Sequence, residues 1–215
     1  MKIFFPVIAV VLVVASACAG LPAAKAGTSP SAPKKGAPPP VTAPTERPVP
    51  PEHIMGKGIV PQEKLAAFLL QTNAGVDGDF VRALAGYYVE EAAIEGVNHD
   101  VAFAQMCLET GFLRYGGLVT PDMNNFCGLG AIGPEETGLF FPDPRTGVRA
   151  HIQHLQAYAA SEPLNQALVD PRYRYVQRGS SPTIHGLAGT WAADRSYNVK
   201  IARILKNLYE FSFDS

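Results

Sequence analysis

From Ile54 onward, apolar residues recur mostly at helical spacing. Between Asp77 and Glu95, Phe80, Leu84, Tyr87, Tyr88 and Ala92 share one helix face, and Gly96 supplies a stop. Upstream, Pro61-Gln62-Glu63-Lys64 opens a helix through about Gln71, with proline and an acid in the first turn, where helix starts favour them. Asn98 is the predicted N-cap of a helix from His99 to Thr110, which Gly111 ends. Residues 111–134, rich in Gly, Asn and Pro, predict a long loop, and loops of that length in compact domains are usually functional. A short strand or hairpin is expected over Gly138 to Asp143. Helices are expected over Thr146 to Ala160, Ile184 to Trp191 and Tyr197 to Phe211. The pattern is that of a mainly helical domain with little sheet.

The N-terminal third breaks this pattern. Lys2 precedes an apolar run from Ile3 to Ala15, interrupted by Pro6. The run is short for a membrane span and carries the flanks of an export signal. Ala15, Ser16, Ala17 and Cys18 resemble a bacterial lipobox, although Ala15 stands where leucine is usual. Two outcomes stay open: lipidation of Cys18, or a plain cut after Ala17. Residues 1–18 are therefore expected to be a signal peptide. With Cys18 lipidated, the protein would be anchored in the bacterial cell envelope, on its periplasmic side or surface, since multiple acyl chains hold a protein stably on a membrane.

Ten of the nineteen prolines fall within residues 19–52, where large apolar residues nearly vanish. Such a segment buries too little surface to offset chain entropy and predicts an extended linker. At about 3.1 Å per residue its reach is on the order of 100 Å. The folded domain is expected over 53–215. Formal net charge is −1, which offers no field for nucleic acid. Three cysteines without a Cys-x-x-Cys pair exclude a disulfide scaffold. Cys107 and Cys127 are either disulfide partners in an exported protein or small buried hydrophobes. His151 and His154 lack a neighbouring third ligand, so no metal and no other cofactor is expected.

The helix from His99 to Thr110 is apolar almost all round, which predicts burial. Its polar exceptions, Gln105 and Glu109, lie four apart and stack on one face. Glu109 falls in the last turn, where the helix dipole disfavours a carboxylate, and desolvation acts in the same direction. Both effects raise its pKa towards that of a general acid for a glycosidic oxygen. The alternative is a buried glutamate paired with an arginine such as Arg82 or Arg114.

The segment Asn98 to Gly111, with Ala104-Gln105 followed by Glu109-Thr110-Gly111, resembles the glucosaminidase family (glycoside hydrolase family 73). So do Asn124-Asn125-Phe126-Cys127-Gly128-Leu129, Gly147 to Leu155, and Trp191 to Tyr197, in the same order. The resemblance implies an α+β, mainly α, lysozyme-like fold, with a glycan cleft between a helical lobe and a small β-containing lobe. It implies peptidoglycan glycan strands as substrate and cleavage of the β-1,4 bond after N-acetylglucosamine. Glu109 would be the acid. Asn124, Asn125 and Phe126 would help shape the cleft and, with Gln105, bind substrate, and Tyr197 would position the acetamido group or water. Glu136 lies where the family's mobile second carboxylate is often sought; Glu135, Asp122 and Asp143 are further candidates, and the substrate's own N-acetyl group is another route. A monomer is expected. The competing functions are a lytic transglycosylase and a tethered glycan-binding lipoprotein without turnover.

Overall fold

The structure is a computed structural model that describes residues 47–214. The expected signal peptide, Cys18 and the linker as far as residue 46 lie outside the described residues. Five α-helices and one two-stranded sheet make up the described part: α1 (Gln62–Thr72), α2 (Gly78–Glu95), α3 (His99–Glu109), β1 (Ala131–Gly133), β2 (Glu136–Thr137), α4 (Pro144–Ala159) and α5 (Tyr197–Phe213). This is the α+β, mainly helical division expected from the sequence.

Local signals set the helix starts. Asp77 accepts from the Phe80 amide at 2.8 Å and caps α2. Asn98 Oδ1 accepts from the Asp100 amide at 3.0 Å and caps α3. Asp143 accepts from the Thr146 amide at 2.9 Å, so α4 opens two residues earlier than expected, with Pro144 in its first turn. Gly96 closes α2 in the left-handed conformation, φ 70°.

α3 is the axis of the domain, packed against α2, α4 and α5. Val101, Phe103, Ala104 and Met106 are completely buried, and Phe103 meets Tyr88 of α2 edge-on at 5.7 Å. Its first turn is anchored by the buried Asp100 carboxylate, which accepts from the Ile59 amide at 2.9 Å, the Val60 amide at 3.2 Å and the Tyr209 hydroxyl at 2.8 Å. One buried carboxylate thus ties the incoming chain and α5 to the first turn of α3.

Three expectations shift. The hairpin lies at 131–137 rather than 138–143; Leu139 and Phe141 instead make single backbone bonds to Leu129 and Met123. Residues 184–191 form a short 3-10 turn, Ile184–Leu187, followed by irregular chain, because the carbonyl of Leu187 gathers the amides of Thr190, Trp191 and Ala192. The chain also makes contacts before residue 53. Arg47 pairs with Asp214 at 3.0 Å, and the Glu52 carbonyl accepts from the Ile184 amide at 2.9 Å.

Candidate active site

Glu109 is the last residue of α3, and the chain beyond it reverses hand. Gly111, Phe112, Leu113 and Tyr115 have φ of 57°, 58°, 60° and 58°. For residues other than glycine this conformation costs about 1–2 kcal/mol each. Packing offsets the cost: Phe112 lies 5.8 Å from Phe68, and Leu113 is buried. The turn is closed by the Phe112 amide on the Cys107 carbonyl at 2.8 Å and the Tyr115 amide on the Thr110 carbonyl at 2.7 Å. It delivers Tyr115 to the wall of a cleft.

That cleft has a volume of about 310 Å³ and is walled by Glu109, Tyr115, Val119, Gly128, Ala131 and Trp191, among others. Glu109 is the only carboxylate among its described lining residues. Both of its protein hydrogen bonds reach the same oxygen. Trp191 Nε1 donates to Oε1 at 3.0 Å, and the Tyr197 hydroxyl donates to Oε1 as well. The arginine-paired alternative does not occur: Arg82 pairs with Asp79, and Arg114 donates to the carbonyls of Thr72 and Gly111. Burial therefore pushes the Glu109 carboxyl above its ordinary value, and the bonds from Tyr197 and Trp191 oppose that only in part. Trp191 is held by a ring cluster, with His154, Tyr158 and His151 centred 5.0, 5.4 and 5.8 Å away.

The other expected site residues divide. Tyr197 reaches Glu109: its hydroxyl donates to the carboxylate and accepts from Gln105 Nε2 at 2.8 Å. Gln105, expected to contact substrate, is fully buried, and both ends of its amide are engaged, by Tyr197 and by His151 at 3.0 Å. Phe126 is buried in the core at the base of the loop. Asn125 borders the cleft, but its amide donates to the carbonyls of Leu129 and Leu139 at 2.8 and 3.0 Å and accepts from the Leu129 amide at 3.0 Å. Asn124 takes a left-handed φ of 51° and donates to the Phe141 carbonyl at 3.0 Å. These two asparagines give the loop its shape. Gly147 is required beneath it, since a Cβ there would stand 1.8 Å from the Asn124 carbonyl oxygen.

Glu136 is exposed on β2, across the hairpin from β1, whose Ala131 lines the cleft; Glu136 itself does not line it. Asp143 caps α4, and Asp122 accepts from the Thr120 hydroxyl at 2.6 Å. Cys107 and Cys127 are free and buried. His154 bonds to Asp170 at 2.7 Å and His151 to Tyr88 at 2.8 Å; no group of three potential metal ligands occurs among the described residues. Trp191 is the residue that sequence reasoning passed over. Its signal was present: it is the only tryptophan of the chain and opens the late motif that ends at Tyr197.

Residues 85–210 match the family described as mannosyl-glycoprotein endo-beta-N-acetylglucosaminidase. The chain belongs to the glucosaminidase family of glycoside hydrolases. The match spans this glucosaminidase domain from within α2 to the last turns of α5 and so includes Glu109, Trp191 and Tyr197. A relative from Borreliella burgdorferi (strain ATCC 35210 / DSM 4680 / CIP 102532 / B31), described only as an uncharacterized protein, is 41% identical over 159 residues, covering 74% of this chain and 78% of its own. A solved structure of S. aureus Autolysin E, in complex with the muropeptide NAM-L-ALA-D-iGLU, is similar with a TM-score of 0.48 and 13% identity, covering 74% of this chain and 71% of that one.

Proposed function

We propose that this glucosaminidase domain cleaves peptidoglycan at the β-1,4 bond after N-acetylglucosamine, with Glu109 as the general acid. The observation that carries the reading is a single cleft carboxylate, raised in pKa by burial and held by two uncharged donors. Glu109 gives its proton to the glycosidic oxygen as the bond from that oxygen to C1 breaks. Among the described residues the cleft is lined by no second carboxylate to meet the charge at C1. The geometry therefore favours the substrate's own 2-acetamido carbonyl oxygen, which bonds to C1 as the leaving group departs. Water then opens that ring, and the Glu109 carboxylate takes the water's proton, which restores the acid. Glu136 on the hairpin is the competing second group, activating a water directly; carboxylates about 6.5–9.5 Å apart are the mark of that inverting geometry. The anchor at Cys18 and the proline-rich linker belong to the same proposal: a monomer tied to the envelope and reaching outward to glycan strands.

The test is digestion of purified sacculi by the full chain, followed by mass spectrometry of the products. Reducing N-acetylglucosamine ends are expected. Anhydromuramic ends would instead assign a lytic transglycosylase, and binding to sacculi without clearing would leave a glycan-binding protein.

A further inference from the structure

Behind Glu109 a row of buried polar side chains runs through the core, away from the cleft. Tyr88 lies on α2, Gln105 on α3, His151 on α4 and Tyr197 at the start of α5. Tyr88, Gln105 and His151 are completely buried, and Tyr197 is 5% exposed. The Tyr88 hydroxyl meets His151 Nδ1 at 2.8 Å, His151 Nε2 meets Gln105 Oε1 at 3.0 Å, and Gln105 Nε2 meets the Tyr197 hydroxyl at 2.8 Å. Four helices thus each contribute one polar group to a continuous line that ends at Glu109 Oε1.

The donor and acceptor roles along this line are interdependent. Indole Nε1 only donates, so Glu109 Oε1 must accept from Trp191. A Tyr197 hydroxyl that accepts from Gln105 has its own proton free for Oε1. Gln105 presents its NH₂ to Tyr197 only when its carbonyl faces a donor, which requires a proton on His151 Nε2. A neutral His151 with that proton carries a bare Nδ1, and the Tyr88 hydroxyl donates into it. Burial, with a smaller contribution from His154, pushes His151 down to about 3, so the ring stays neutral across the working range. No other polar partner stands along the line among the described residues to reverse a single link.

We propose that Tyr88, His151 and Gln105 form a one-way hydrogen-bond chain that aims the Tyr197 hydroxyl at Glu109 Oε1 and thereby assigns the catalytic proton to Oε2. With Oε1 accepting two hydrogen bonds, a proton there would displace one of them. Oε2 accepts none from the described residues. Glu109 and Gly128 both line the cleft, and a Cβ at Gly128 would stand 3.9 Å from Oε2. The three buried residues are positioning residues, since none of them lines the cleft. This inference rests on the reading of Glu109 as the acid. Its conformational half, the direction of the chain, stands independently of turnover.

Two measurements on the full chain test it. Imidazole ¹⁵N shifts, with His151 assigned through its loss in His151→Gln, should show a proton on Nε2, a bare Nδ1 and no titration between about pH 5 and 8. Tyr88→Phe removes one hydroxyl without changing the ring. His151 should then admit the Nδ1–H form, the Gln105 amide can turn, and Tyr197 is drawn away from Glu109. We expect kcat on sacculi to fall about tenfold with KM within about twofold, and the basic limb of the pH profile to move upward. Tyr209→Phe is the matched control, because it also removes a tyrosine hydroxyl bonded to a buried group, Asp100 at 2.8 Å, but away from the line; its kcat should be unchanged. A proton on His151 Nδ1 in the wild type, or wild-type kcat and pH limb in Tyr88→Phe, would overturn the proposal. A wild-type chain that cuts no glycan would overturn the glucosaminidase reading instead, and the ¹⁵N measurement would still decide the chain.

Discussion

Two glutamates in this domain have been withdrawn from water and treated in opposite ways. Glu91, in the C-terminal third of α2, is completely buried, yet Arg149 Nε donates to it at 2.9 Å, Arg145 Nε at 2.6 Å and Gln166 Nε2 at 2.8 Å. Burial alone would raise its pKa, but the two guanidinium groups and the amide outweigh it and hold the carboxyl down to about 2. Glu109, at the end of α3, has only a phenol and an indole, and burial wins. The difference teaches that burial by itself does not decide whether a carboxyl keeps its proton. What matters is whether the partners carry charge. The α2–α4 face uses its glutamate as a permanent anion that joins two helices; the cleft keeps a carboxyl able to hold a proton.

The sharpest way to break the comparison is to remove each acid. Glu109→Gln should lower the rate of sacculus clearing by at least about a thousandfold. Its Tm should not fall. A carboxyl whose folded-state pKa is raised contributes most to stability below its unfolded value and loses that contribution as pH rises through the folded one, so at neutral pH the amide is no worse. Clearing that survives at wild-type rate would remove Glu109 from the chemistry. Glu91→Gln should do the reverse: denaturant unfolding should show a loss of about 3 kcal/mol from removing the buried anion between Arg145 and Arg149, while clearing by the folded fraction persists.

The same pair is separated by pH. The folded-state pKa of Glu91 is depressed, so its stabilising contribution is complete above its unfolded value and is lost as pH falls towards about 2. The loss is on the order of 3 kcal/mol, and thermal scans from pH 6 down to 2 should show it in the wild type but not in Glu91→Gln. A smaller effect is expected at Trp191→Phe. Losing the indole donor removes one interaction that lowers the Glu109 pKa, so the basic limb of activity should move to higher pH, with kcat down by about tenfold. A limb that moves down would mean that the indole does not stabilise the anion. The smallest change is expected at Glu136→Ala, within about threefold of wild type if the acetamido group completes the displacement. A loss of about a hundredfold or more would make Glu136 the second catalytic group.

Much of the helical scaffold could be read in advance. The caps at Asp77 and Asn98 and the stop at Gly96 are local devices, since each satisfies backbone groups within four residues of itself. Glu109 could be singled out too, as a polar residue on a helix with almost no polar face. The β-hairpin was misplaced because its pairing covers so few residues that no alternation develops. Asn124, Asn125 and Phe126 were found as a loop motif, but loop-building and substrate-binding asparagines look alike until their amide partners are known. For Gln105 the one-dimensional pattern misled: stacking one turn from Glu109 suggested the cleft, whereas the side chain turns inward to Tyr197 and His151.

By itself the sequence determined most of the helical segments, that α3 is buried, and that Gln105 and Glu109 are polar exceptions on it, because helix period and capping act over three or four positions. Family motifs in order pointed from there to glycan hydrolysis. Only the tertiary structure decided what Glu109 becomes. Its partners come from 82 and 88 residues further along the chain, and the line behind them crosses four helices. A pKa depends on which charges and dipoles packing brings within a few ångströms, and no spacing along the chain records that Glu91 would meet two arginines while Glu109 would meet none.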